Sequence, residues 1–141
     1  MLVITYDKIP HESKIVREEV FLKEQGFKSD SDEIDDIATH FVAFESDKPV
    51  GACRVYKAEA KNTYILGRLS ALSVCRGMGV GKLLTRKAEE YVLSIGGKTM
   101  ILQAQFRVKD FYSKLGYKEY GDIEYEEGCA LIWMKKELTS D

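Results

Sequence analysis

Apolar positions along the chain recur at two spacings, one of two residues and one of three to four, and each change of spacing marks the end of an element. The run "LVITY" (2–6) is short and rich in β-branched residues, which predicts a strand. Pro10 suits the first turn of a helix, and Ile15, Val16, Val20 and Phe21 follow near helical spacing until Gly26, a natural stop. Residues 28–38, "KSDSDEIDDIA", are acidic and Ser-rich and read as a loop or short capped turn. Residues 39–58 predict two strands around an Asp-Lys-Pro turn, and 63–74 a further strand with one apolar face. In 80–97, Val80, Leu84, Ala88, Tyr91 and Ile95 form a helical stripe closed by Gly96 and Gly97. "TMILQAQF" (99–106) has the make-up of a buried strand, 107–116 that of a short helix stopped by Gly116, and 117–138 that of a closing pair of strands. The order β-α-β-β-β-α-β-α-β-β mixes hairpins with crossovers. It predicts a mixed sheet with helices packed on it, one α/β (α+β) domain over residues 1–141.

Composition narrows the function classes. A chain of 141 residues buries roughly two-thirds of its unfolded surface, so a core and a ligand cleft can coexist. Net charge −2 supplies no bulk attraction to nucleic acid or to an anionic membrane, so any work done by cations is local. No stretch approaches the roughly 20 apolar residues of a membrane span. The first ten residues have neither the cationic region nor the long apolar region of a signal peptide, which sets the expectation of a cytoplasmic protein. Cys53, Cys75 and Cys129 are odd in number and widely spaced, a pattern of reduced thiols rather than of a zinc site, and no metal is expected.

The chemistry concentrates at "CRGMGVGKLL" (75–84), three glycines and two cations that run into the apolar helical stripe. A P-loop needs glycine six positions before the lysine and a hydroxyl residue after it; Arg76 and Leu83 stand there. The dinucleotide turn G-x-G-x-x-G begins with Gly77 and Gly79, but Lys82 replaces its third glycine. What remains is an R-x-x-G-x-G loop between strand and helix. Its glycines allow backbone N–H groups to turn inward on an anion, and the helix adds its own unpaired amides and positive dipole end. A plain turn before a helix is the competing reading.

These residues resemble the GNAT superfamily of acetyl-CoA-dependent N-acetyltransferases. "GRLSALSVCRGMGVGKLL" is similar to that family's motif A and "ILQAQFRVKDFYSKLGYKEYG" to its motif B, in the family's order. "VREEVFLKEQG", "DEIDD" and "HFVAF" further resemble the ElaA/YjcF-like branch, so the likeness covers about residues 2 to 138. It implies a mixed, mostly antiparallel central sheet flanked by helices, with a V-shaped splay between two parallel strands bearing Ala71 and Gln103. Acetyl-CoA would lie in that V. The backbone of Leu69 and Ala71 would meet the pantetheine arm, Arg76, Gly77, Met78, Gly79, Val80, Gly81 and Lys82 would hold the pyrophosphate, and Gln103 and Phe106 would line the second arm.

Tyr112 matches the motif-B tyrosine, whose phenol would protonate the leaving thiolate; simple packing of the short helix is the alternative. Some relatives carry a glutamate base on the motif-A strand, and "TYILGRL" offers no carboxylate there. The remaining candidates are Glu24, Glu33, Asp35, Asp36 and His40, with water as an alternative base. Arg17, Glu24 and Arg68 are acceptor-side candidates, against exposed charges or a salt bridge as the plain reading. The expected acceptor is a small amine or a peptide, by direct transfer to a primary amine. A non-catalytic acyl-CoA-binding module and a protein-interaction domain are the rivals. Pairing of sheet edges is frequent in the family and leaves a homodimer open.

Overall fold

A computed structural model describes residues 1–29 and 31–139; position 30 of the acidic loop and the last two residues lie outside it. Seven strands form one sheet: β1 (Leu2–Tyr6), β2 (Thr39–Glu45), β3 (Lys48–Lys57), β4 (Thr63–Ala71), β5 (Thr99–Gln105), β6 (Lys118–Glu126) and β7 (Cys129–Glu137). Their order across the sheet is β1-β2-β3-β4-β5-β7-β6, antiparallel throughout except for the parallel pair β4 and β5. Helices α1 (His11–Arg17), α2 (Val80–Ser94) and α3 (Lys109–Lys114) complete the α/β architecture expected of the sequence. Among the described residues no helix is long and apolar enough to cross a membrane.

Helix α2 lies directly on the sheet. Val80, Leu84, Ala88 and Val92 are buried, one every fourth residue, among Phe41, Ala43, Val55 and Leu102. A Cβ on Gly51 of β3 would stand 2.4 Å from Val80 Cγ1 and 2.9 Å from Leu84 Cδ1, so the close approach requires glycine there. The predicted stripe needs one correction at its end. Ile95 follows the last helical residue and is exposed, while Val92 takes the buried place. Tyr91 is half-buried, edge-on to Phe41 with ring centroids 5.5 Å apart, its hydroxyl 3.0 Å from that of Thr39.

Two irregularities depart from ideal geometry. After Arg17 the first helix widens into a π-helical turn, Glu18–Glu24, in which the Gln25 N–H reaches the carbonyl of Val20 five residues back. In β4, Arg68 and Leu69 stand opposite the single residue Cys53, since Ala52 pairs with Ser70 and Arg54 with Gly67. That bulge puts Arg68 at φ 52°, a left-handed conformation that a side-chain-bearing residue adopts only under strain. Just before it the sheet splits. β4 and β5 pair from Thr63–Thr99 to Leu66–Leu102 and no further, although β4 continues to Ala71 and β5 to Gln105. This is the V-shaped splay.

Candidate active site

The glycine loop stands at the end of the β4 arm. Gly77 (φ 87°) and Gly79 (φ 80°) both take left-handed conformations, which turn the chain back on itself ahead of α2. The first bond of α2 runs from Leu83 N–H to Gly79 C=O, 2.9 Å, and no side chain caps the helix. Among the described residues the N–H groups of Gly77, Gly79, Val80, Gly81 and Lys82 have no backbone partner outside α2. Exposed amides at the positive end of a 15-residue helix fit a diphosphate. Gly81 also leaves room for α3: a Cβ there would meet the Phe111 ring at 3.1 Å.

A cavity of about 670 Å³ opens where the sheet splits. Of the residues singled out in the sequence, Arg68, Leu69, Ala71, Arg76, Gly77, Gly79, Val80, Gly81, Lys82, Gln103 and Tyr112 line it. Met78 instead faces solvent, and Phe106 stands outside the wall with the Lys109 ammonium 4.3 Å from its ring centre. Tyr112 packs edge-on to Phe111 and Tyr117, with centroids 5.0 and 6.1 Å away. Burial, reinforced by the neighbouring Cys53 thiol, pushes its phenol well above the ordinary tyrosine range, so at neutral pH it keeps its proton. Among the described residues its hydroxyl has no hydrogen-bond partner. A protonated, unengaged phenol in a cleft is equipped to donate.

The acidic candidates do not gather there. Asp35 is buried and accepts from Arg17 (2.9 and 3.0 Å) and from Arg54 Nη1 (2.9 Å). Arg54 also donates to Asp32 at 2.6 and 3.1 Å, and Arg68 reaches Asp32 at 3.4 Å. Buried His40 has Nε2 2.9 Å from the Asp35 carbonyl, so that nitrogen carries the hydrogen, and desolvation pushes the imidazole pKa down towards the neutral form. This ionic chain ties α1, the short turn Glu33–Asp36 and β3 to the strained bulge of β4. Arg17, Glu33, Asp35, Asp36 and His40 all lie outside the cavity wall. Glu24 too is outside it, but its carboxylate is bonded to Arg76, Nη2 to Oε1 at 2.6 Å and Nη1 to Oε2. That bond holds the Glu24 carboxyl below its ordinary pKa.

Residues 5–138 match the family model for an acetyltransferase (GNAT) domain. The chain belongs to the GNAT acetyltransferase family. It is 33% identical over 125 residues to YjcF of Bacillus subtilis, an N-acetyltransferase by name, covering 86% of this chain and 88% of that one. The crystal structure of ElaA from Escherichia coli superposes with TM-score 0.83 at 23% identity, covering 96% of this chain and 100% of the other. An aminoglycoside 6'-N-acetyltransferase crystallised with coenzyme A superposes with TM-score 0.78 at 20% identity, covering 100% and 99%. This GNAT domain is thus an acyltransferase of the ElaA/YjcF-like branch.

The GNAT cleft also has walls that pattern reading of the sequence missed. Val20, Phe21 and Phe27 close one side, and the hairpin turn between β6 and β7 brings Glu126 and Glu127 to the other. Gln25 and Gln105 bridge the gap, with Gln105 Nε2 donating to Gln25 Oε1 at 2.8 Å. Their sequence separation of 80 leaves no local signal. The Glu-Gly pair at 127–128 does carry the mark of a tight hairpin, with φ 49° and 79°.

Proposed function

We propose that this GNAT domain moves the acetyl group of acetyl-CoA to a primary amine by direct transfer, with Tyr112 as the acid. The neutral amine attacks the thioester carbonyl; a C–N bond forms and the carbonyl electrons move to oxygen. The unpaired edge of β4 at its bulge supplies main-chain N–H groups for that oxyanion, near Leu69 and Ala71. Collapse breaks the C–S bond, and the Tyr112 hydroxyl gives its proton to sulfur. The ammonium proton leaves to water; the carboxylates in the cavity wall, Glu126 and Glu127, stand where they can assist. The resulting tyrosinate is reprotonated from solvent, so the cycle balances.

The reading rests above all on one observation: the Tyr112 phenol lines the cleft formed where β4 and β5 part. The orphan amides of the glycine loop support the diphosphate half of the donor. The test is release of free thiol from acetyl-CoA in the presence of a panel of amines. Tyr112→Phe is expected to lower kcat about 100-fold, the lower end of what a positioned acid contributes, with CoA affinity nearly unchanged. An unchanged rate sinks the acid role. CoA binding with no turnover on any amine favours the non-catalytic module instead.

A further inference from the structure

Arg76 is engaged along nearly the whole of its guanidinium. Its Nε and Nη2 donate to the carbonyl of Ala71 at 3.2 and 2.9 Å, and Nη2 and Nη1 donate to Glu24. Four of the five guanidinium N–H groups are thereby used. Both lone pairs of the Ala71 carbonyl are used as well, on the stretch of β4 that lost its strand partner at the split. Neighbouring Gln25 is tied to Gln105 on β5, so residues 24 and 25 span the V with two bonds to Arg76 on one side and one to Gln105 on the other.

We infer that Arg76 is a placeholder, held by Glu24 over the β4 edge and displaced when the acyl donor binds, which makes Glu24 a positioning residue for donor binding. The inference rests on the reading of acetyl-CoA as donor. A pantetheine arm that adds to a sheet edge uses the edge's main-chain groups, and the Ala71 carbonyl cannot serve the arm and Arg76 together. Once released, the guanidinium stands beside the loop amides of Gly77 and Gly79, where its forked donors match a diphosphate. Glu24 opposes that move twice: it binds Arg76 where it is, and it adds a negative charge near the anion's seat. Departure of Arg76 removes one tie of the segment that also carries Phe21 and Phe27 in the cavity wall, while the Gln25–Gln105 bond and the buried Val20 remain.

The probe is CoA itself, titrated calorimetrically into wild type, Glu24→Gln, Arg76→Ala and the double variant. Because the ion pair is exposed, 44% for Arg76 and 40% for Glu24, the effect is modest. Glu24→Gln is expected to tighten CoA about threefold, Arg76→Ala to weaken it, and the gain from Glu24→Gln to vanish in the Arg76→Ala background. A merely structural Glu24 would lower the melting temperature and weaken CoA. Equal or weaker binding by Glu24→Gln, or a gain that persists without Arg76, overturns the placeholder while leaving the donor assignment intact. Failure of the wild type to bind CoA overturns the donor assignment and the inference with it.

Discussion

Replacing Asp35 by asparagine separates structure from chemistry at the acidic segment. The Asp35 carboxylate is 6% exposed and faces two guanidiniums, Arg17 and Arg54, that are 1% and 3% exposed. It accepts three hydrogen bonds from them, at 2.9, 3.0 and 2.9 Å. Removing one partner of a buried ion pair costs about 3–5 kcal/mol, because the charge left behind stays desolvated. Asparagine keeps the shape and one oxygen, and Asp32 still holds Arg54. The lower end, about 3 kcal/mol, is therefore expected. For a domain of this size that is about 10 °C in Tm and a visible drop in the urea midpoint with an unchanged slope. The assay is urea unfolding at pH 7 followed by far-ultraviolet circular dichroism, alongside CoA titration well below the midpoint. A loss under about 1 kcal/mol would refute the argument. So would a variant that unfolds like wild type but has lost turnover, which would put Asp35 in the chemistry.

The same cluster makes stability depend on pH. Desolvation lowers the folded pKa of His40, so its contribution is full above about pH 6.5 and falls away as acid charges the unfolded chain's imidazole. Burial pulls the Asp35 carboxyl up, but the bonds from Arg17 and Arg54 win and its folded pKa is lowered; that contribution is present above about pH 3.9 and lost below. Urea midpoints should therefore decline from pH 7 to pH 5, as the unfolding free energy falls by at most about 1.4 kcal/mol per pH unit, and His40→Gln should flatten that arm; a flat wild-type profile contradicts both. Gly51→Ala should cost about 1–3 kcal/mol by wedging α2 off β3, read as a lower Tm, and a neutral substitution would show that α2 can shift at no cost.

What could be read along the chain is what is local. The strands and helices with a buried face announced themselves through spacing, because such a face forces its period on the residues that make it. The glycine loop was readable for the same reason: the left-handed turns at Gly77 and Gly79 and the start of α2 lie within one short stretch. The π-helical turn left no such mark, since the residues of Glu18–Glu24 would fit an ordinary helix equally well. Arg17, Asp35 and Arg54 sit in three different elements and were drawn together by desolvation, which makes an unpaired charge expensive wherever it is buried. Their charge could be seen in the sequence; their mutual satisfaction could not. The cavity wall combines Phe21, Gln25, Gln105 and Glu127, and only the tertiary fold makes neighbours of them.

The split in the sheet divides labour along the chain. Among the described residues the ladder between the first four strands and the last three is four pairs long, Thr63–Thr99 to Leu66–Leu102. The glycine loop lies in the connection from β4 to β5, and Tyr112 follows β5. On the proposed reading, anchorage of the donor and the proton for its leaving sulfur therefore fall on either side of one short ladder.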